Sequence, residues 1–235
     1  MYTGASWKPI LIITMIVLVI LSIPAYAYTQ HNPVWYTRPR ALNRVLDNAI
    51  ATIITTGNLY VIHDTVDPTT SYNEIGVTVH SLTDGSMLDS TLYSYTGQGD
   101  FYGGDAITLN GRLFIAGTIV DSTTGAYGVL LEIDPYTLNI VNQYSLDETG
   151  NGYDTVFTGL CSDSSGYVYA VGRQIDQGNH TIFMLVAQFD FSQGTISWVR
   201  LKANGQSGLL NITGYSCTVD ANNDLYVSGL LYHYS

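Results

Sequence analysis

One phrase of the sequence recurs at a nearly fixed spacing, and this repeat constrains the fold more than any other feature. The two clearest copies are "SDSSGYVYAVG" (162–172) and "VDANNDLYVSG" (219–229), and weaker copies are "TTGNLYVIHD" (55–64) and "LNGRLFIAGT" (109–118). The aromatic residues of successive copies are 54, 55 and 57 residues apart. They are Tyr60, Phe114, Tyr169 and Tyr226. Such a period predicts an array of similar supersecondary units.

Each period carries the signals of four short strands. In the second period, "AITL" (106–109) leads into an Asn-Gly pair, the strongest two-residue hairpin signal, and "RLFIAGTIV" follows. "GVLLEI" (128–133) then precedes the proline-containing turn "DPYT" (134–137) and a fourth strand, "LNIVNQYSL". The 19 tyrosines and 23 glycines also favour strands and tight turns over helices. We therefore predict an all-β, propeller-like fold with about 3.5 four-stranded blades of about 55 residues.

The repeated phrase itself is predicted to be a hairpin. Asp163 or Asp220 can accept hydrogen bonds from the backbone of the turn. The aromatic residue then enters the interface between blades, and the glycine that follows permits close packing or a bulge.

The phrase resembles the β-propeller repeat found in tandem in many secreted prokaryotic proteins, whose core reads roughly Asp-x-x-Gly-Asn-hydrophobic-Tyr-Val-x-Gly. "DSSGYVYAVG" and "DANNDLYVSG" match this pattern closely, "LNGRLFIAG" moderately and "TTGNLYVIH" weakly. The resemblance covers about residues 45–235 and implies blades whose innermost strands line a central channel. It implies no particular activity, because propellers host many unrelated functions.

The repeat sets the expected domain boundaries. We expect a signal segment over residues 1–27, an extension over 28–44 and propeller repeats over 45–235. The expected blades are 45–97, 98–147, 148–203 and 204–235. The last holds only two strand signals, so we expect an incomplete propeller, a truncated member of the family, which further sequence or a partner chain completes. A closed four-bladed ring is the alternative, and its only strand donor would be "VWYT" (34–37).

The N-terminus has the pattern of an export signal. An apolar run over residues 10–23 is followed by Pro24 and by "AYA" (25–27), the small-x-small pattern of a cleavage site. The run is short for a membrane-spanning helix, so we expect cleavage after Ala27 and secretion. The alternative is an uncleaved anchor that uses residues 10–27 and leaves the propeller outside the membrane.

Composition and charge bear on the partners. The net charge of −11 repels phosphate backbones, so we expect no nucleic-acid ligand. Two N-x-[ST] triplets, at Asn179 and Asn211, are candidate glycosylation sites and support an external location.

Two groups of polar residues are candidates for cation binding. Asp220, Asn222 and Asp224 have the alternating spacing of a calcium loop, but Leu225 stands where such a loop needs glycine, which favours a plain turn. The second group can form an acidic rim near the channel mouth, and the alternative is that its members are polar residues at strand starts. Its members are Asp47, Asp100 and Asp154.

No catalytic or cofactor motif is found. The sequence has no H-E-x-x-H zinc motif, no G-x-S-x-G elbow, no phosphate-binding glycine loop and no tryptophan once per blade. We therefore predict no catalytic residues, no metal and no cofactor. Cys161 and Cys217 lie at near-equivalent positions of adjacent blades, which we expect to be too far apart for a disulfide, so two buried free thiols are predicted.

These observations favour an exported cell-surface or extracellular propeller that acts as a non-catalytic binding module. Its ligand would be a protein or a glycan, and a further alternative is that the chain is the N-terminal part of a larger surface protein. The alternative is a propeller hydrolase or lyase with an active site on the loops at one channel mouth.

Overall fold

In the computed structural model, residues 48–95, 97–201 and 210–233 are described, and they form β-sheets joined by tight turns. Sheet 1 contains β1 (Asn48–Thr55), β2 (Asn58–Val66), β3 (Asn73–Ser81) and β4 (Met87–Tyr93). Sheet 2 contains β5 (Gly99–Leu109), β6 (Arg112–Asp121), β7 (Gly125–Ile133) and β8 (Ile140–Leu146). Sheet 3 contains β9 (Tyr153–Ser162), β10 (Val168–Asp176), β11 (Ile182–Asp190) and β12 (Thr195–Leu201). Sheet 4 contains β13 (Leu210–Val219) and β14 (Leu225–His233).

Every sheet is an antiparallel meander in chain order. The first strand of each later sheet lies against the sheet before it: β5 packs on sheet 1, β9 on sheet 2 and β13 on sheet 3. Three four-stranded sheets and a two-stranded fourth therefore resemble successive propeller blades, which confirms the predicted fold class.

The repeated phrase forms an equivalent hairpin in every sheet, as predicted. Its aromatic residue is at or near the start of the second strand, and its turn contains residues with positive φ. Asn110 (φ 51°) and Gly111 (φ 74°) form the tight turn that the Asn-Gly pair predicts. Tyr60 donates a hydrogen bond to the carbonyl of Pro135 at 2.9 Å, so the aromatic residue of sheet 1 reaches the last turn of sheet 2.

The core lies between the faces of adjacent sheets. Ile62 and Val77 of sheet 1 pack with Leu113 and Leu131 of sheet 2 in one buried cluster. Between sheets 2 and 3, a second cluster includes Phe157, and the Phe114 ring lies 4.8 Å from that of Phe191. Each sheet therefore buries an apolar face only because the next sheet covers it.

The first strand of each sheet carries a β-bulge at the same place. The register shifts across one extra residue in β1, β5, β9 and β13. The bulged residues are Ile50, Gly104, Thr158 and Tyr215. In three sheets, the glycine of the repeated phrase pairs with the residue just before the bulge. These glycines are Gly117, Gly172 and Gly229.

Close backbone packing at the bulge explains the repeated glycine. A Cβ atom at Gly117 would lie 2.6 Å from the carbonyl oxygen of Tyr102. At Gly172 and Gly229, a Cβ atom would overlap the carbonyls of Val156 and Thr213 in the same way. A side chain at these positions would force the bulged strand to move.

We expect Gly172→Ala to lower the free energy of unfolding by about 1–3 kcal/mol, because the new methyl group meets backbone that cannot rotate away. Gly150→Ala is the matched control: a Cβ atom there meets nothing within 4 Å, so its effect should stay within about 0.5 kcal/mol. Urea denaturation followed by tyrosine fluorescence measures both. Equal stability of the two variants would contradict the packing role of the glycine.

Cys161 and Cys217 form a disulfide with a Cα–Cα distance of 5.6 Å, so the prediction of two free thiols is wrong. The two residues are not strictly equivalent in their sheets. Cys161 pairs with the aromatic residue Tyr169, whereas Cys217 pairs with Val227, one residue after the aromatic residue Tyr226. Because a one-residue offset reverses the face of a strand, the two side chains point toward each other from adjacent sheets.

The disulfide should contribute about 4 kcal/mol to stability, since it closes a loop of 56 residues in the unfolded chain. We expect reductant to lower the melting temperature of the wild-type protein markedly and to leave a Cys161→Ser/Cys217→Ser variant unchanged. Thiol titration in denaturant provides the control. Two titratable thiols in unreduced, unfolded protein would contradict the crosslink.

The predicted signal segment, the extension and Asp47 lie outside the described residues. Within the described ranges, no helix is long and apolar enough to cross a membrane.

Candidate functional site

The candidate cation loop at Asp220, Asn222 and Asp224 is a hydrogen-bonded turn. Asp220 accepts the N–H groups of Asn222 and Asp224 at 2.8 and 2.9 Å. These backbone hydrogen bonds hold the pKa of the Asp220 carboxyl below its usual value, and the bond from Asp224 has the largest effect. No group of three His, Cys, Asp or Glu side chains in the described part of the chain is placed to hold a metal ion.

The described members of the predicted acidic rim are contacts between sheets. Asp100 accepts the N–H of Asn73 at 2.8 Å, and Asp154 accepts that of Ala126 at 2.8 Å. Both donors belong to the third strand of the preceding sheet: Asn73 is the first residue of β3, and Ala126 is the second residue of β7. Sheets 3 and 4 have the same contact, from the Ile182 N–H to Asn211 at 2.9 Å. The carboxylates thus join adjacent sheets through the backbone.

The two sequons lie in different surroundings. Asn179 is exposed in the turn between β10 and β11, where it contacts Asp176. Asn211 is 7% exposed, and its side-chain oxygen is engaged by Ile182. Glycosylation at either position stays a prediction.

A cavity of about 440 Å³ lies between sheets 2 and 3, at the bulges of β5 and β9. Its volume falls in the range of small-ligand sites. Its polar and aromatic lining comes from Tyr102, Thr118, Phe157, Thr158 and Arg173. Gly103 and Gly104 leave room on the β5 side, and Val120 and Val156 complete the lining. These residues come from strands of two sheets that meet at the bulges, so no local motif in the sequence predicts the cavity.

One residue position explains the polar character of this region. The residue directly after the glycine of the repeated phrase is Thr118 in sheet 2, and its counterpart in sheet 1 is Asp64. Asp64 accepts the N–H of Gly103 at 2.7 Å, and Thr118 accepts the N–H of Phe157 at 3.2 Å. Both acceptors therefore bond to the bulge of the next sheet.

In sheet 3 the same position holds Arg173, which has no acceptor atom. The Nε atom of Arg173 is buried and has no hydrogen-bond partner. The sequence offers a signal for this residue, because this position holds Asp64 in sheet 1 and Thr118 in sheet 2, which supply acceptors, and a charged donor in sheet 3. The role of this position can be recognised only when the contacts between its side chains and the bulges are known.

Two side chains near the cavity have perturbed pKa values. Burial raises the pKa of Asp64, and the Gly103 N–H opposes that shift. Burial and then the charge of Asp100 raise the pKa of Tyr102, so its hydroxyl stays protonated at neutral pH. Neither Asp64 nor Asp100 lines the cavity.

Comparisons with known proteins find no match by sequence and a distant similarity in structure. No family model matches the sequence, and no curated protein matches it. A solved GH43_1 enzyme from Xanthomonas citri complexed with xylose is 12% identical, with 80% of this chain and 77% of that chain covered and a TM-score of 0.48. The same enzyme complexed with xylotriose has the same identity and coverage and a TM-score of 0.46. Similarity this distant carries no argument about activity.

Proposed function

We propose that the protein is an exported propeller that binds a ligand without catalysis, at the cell surface or outside the cell. The cavity between sheets 2 and 3 carries this proposal, because it combines a ligand-sized volume with hydroxyl, aromatic and guanidinium groups. The described residues that line it include no Asp, Glu or His, the groups that most often transfer protons in hydrolysis. Binding is therefore the better supported function.

Two features support an exported location. The disulfide between β9 and β13 is of a kind that persists in oxidising compartments outside the cytosol. The apolar run over residues 10–23 and the "AYA" site supply the export signal in the proposal. Attachment to a membrane through residues 10–27 is the alternative arrangement, with the propeller outside.

We expect a screen of the purified protein on glycan and extracellular-protein arrays to yield a ligand whose binding depends on the cavity. Val120→Trp should weaken that binding at least tenfold, because Val120 lines the cavity and the larger side chain fills it. Val141→Trp, on the outer strand β8, is the matched control, since both valines are partly exposed and Val141 does not line the cavity. Equal binding by the two variants would contradict a role for the cavity.

The same screen distinguishes the alternative function. Each bound glycan or protein should be recovered intact after prolonged incubation. Reproducible cleavage that Val120→Trp abolishes would instead support a propeller hydrolase or lyase.

We also propose that strands of a partner chain, a second copy of this protein, pair with sheet 4. Within the described residues, β14 pairs only with β13, and Leu231 on β14 is 54% exposed. The face of sheet 3 toward sheet 4 also exposes Val199 and Leu201, beside a cavity of about 280 Å³ that Tyr169 and Trp198 help to line. An open strand edge next to an apolar face favours association.

Light scattering after size-exclusion chromatography tests this proposal. We expect the purified protein to associate in a concentration-dependent way and Leu231→Lys to shift it toward monomer. Leu88→Lys is the matched control, since Leu88 is 55% exposed on the outer strand of a complete sheet. A wild-type protein that is monomeric at all concentrations would contradict pairing at β14.

A further inference from the structure

Arg173 differs from the other arginines that the structure describes. Arg112 forms an ion pair with Asp134 at 2.7 Å. The guanidinium of Arg200 lies 3.9 Å from the centre of the Tyr153 ring, a favourable cation–π contact. Among the described residues, the Arg173 side chain has no ion pair, ring contact or hydrogen bond, and its Nε is buried.

An unpaired buried donor on a permanent cation is costly in a folded protein. Native structures satisfy nearly all buried polar atoms, and those left unsatisfied call for an explanation such as a missing ligand. The planar fork of a guanidinium group matches a carboxylate with two parallel hydrogen bonds. Since Arg173 lines the cavity, a carboxylate bound in the cavity can pair with its guanidinium group.

The Thr118 hydroxyl is a second group in the cavity that can donate a hydrogen bond to a ligand. The Thr118 hydroxyl accepts the Phe157 N–H, and its own hydrogen has no assigned acceptor. The Tyr102 hydroxyl is already engaged, because it accepts from Asn73 at 3.0 Å and hydrogen-bonds to Asp100. The cavity thus presents the donors of Arg173 and Thr118, and the residues that line it include no carboxylate. Such a site favours a ligand rich in acceptor oxygens.

We propose that this cavity binds a uronic-acid residue of an acidic glycan, with the carboxylate of the sugar against Arg173. This inference rests on the proposed binding function and names its ligand class. A hydroxyl group of the sugar ring matches Thr118, and the C–H face of the ring matches Val156 and Phe157. The net charge of −11 repels long polyanions, so the site accepts a single uronate unit rather than an extended polyuronate.

Calorimetric titration of the full chain with glucuronate and galacturonate tests the proposal, with glucose and galactose as neutral counterparts. We expect a uronate to bind at least tenfold more tightly than the sugar that lacks its carboxylate. This comparison in the wild-type protein requires no variant. Equal affinity for the charged and neutral sugars would overturn the proposal.

Substitutions locate the binding. Arg173→Gln should weaken uronate binding at least tenfold, and Arg200→Gln, which removes a cation that already has partners, should leave it unchanged. The melting temperature of Arg173→Gln should not fall, because the Arg173 side chain has no partner to lose in the described part of the chain. Uronate binding that Arg173→Gln leaves intact would overturn the assignment.

The outcomes separate this inference from the proposed function. Neutral sugars that bind as tightly as the uronates, in binding that Val120→Trp abolishes, would keep the cavity as a binding site and overturn the uronate assignment. A glutamate oligopeptide that binds more tightly than either uronate would overturn the glycan class in favour of an acidic peptide. Failure of every sugar and protein ligand to bind would overturn both proposals.

Discussion

The structure depends on the burial of each sheet's face by the sheet that follows it. A single four-stranded sheet with apolar residues on both faces cannot bury them alone. Ile62 and Val77 are inaccessible to solvent because sheet 2 lies on them, and Leu185 of sheet 3 is buried in a cluster with Phe114 of sheet 2. Hydrogen bonds between sheets, such as that from Asn73 to Asp100, then fix the position of one sheet on the next.

Local chemistry made the hairpins predictable from the sequence. The Asn-Gly pair at residues 110–111 specifies a tight turn by itself, and the spacing of the aromatic residues gives the number of repeats. Contacts between sheets were not predictable in this way, because their partners are remote in the chain. The disulfide of Cys161 depends on a one-residue offset within sheet 4, and the role of Asp100 depends on a backbone N–H of the preceding sheet.

The candidate site arises where the repeat departs from its own pattern. In sheets 1 and 2, the residue after the repeated glycine, or its counterpart, accepts an N–H group from the bulge of the next sheet. Arg173 cannot do so, and its buried Nε stays without a partner beside the cavity. Local departures from the pattern of a fold are typical of functional sites. The proposed ligand site lies where Arg173 replaces the acceptor that sheets 1 and 2 have at this position.

The crystal structure of the protein soaked with glucuronate tests the central claim most directly. Our account predicts density for one sugar in the cavity between sheets 2 and 3, with its carboxylate within hydrogen-bond distance of the Arg173 guanidinium. An empty cavity in which the Arg173 guanidinium is paired with a carboxylate of the protein itself would contradict it.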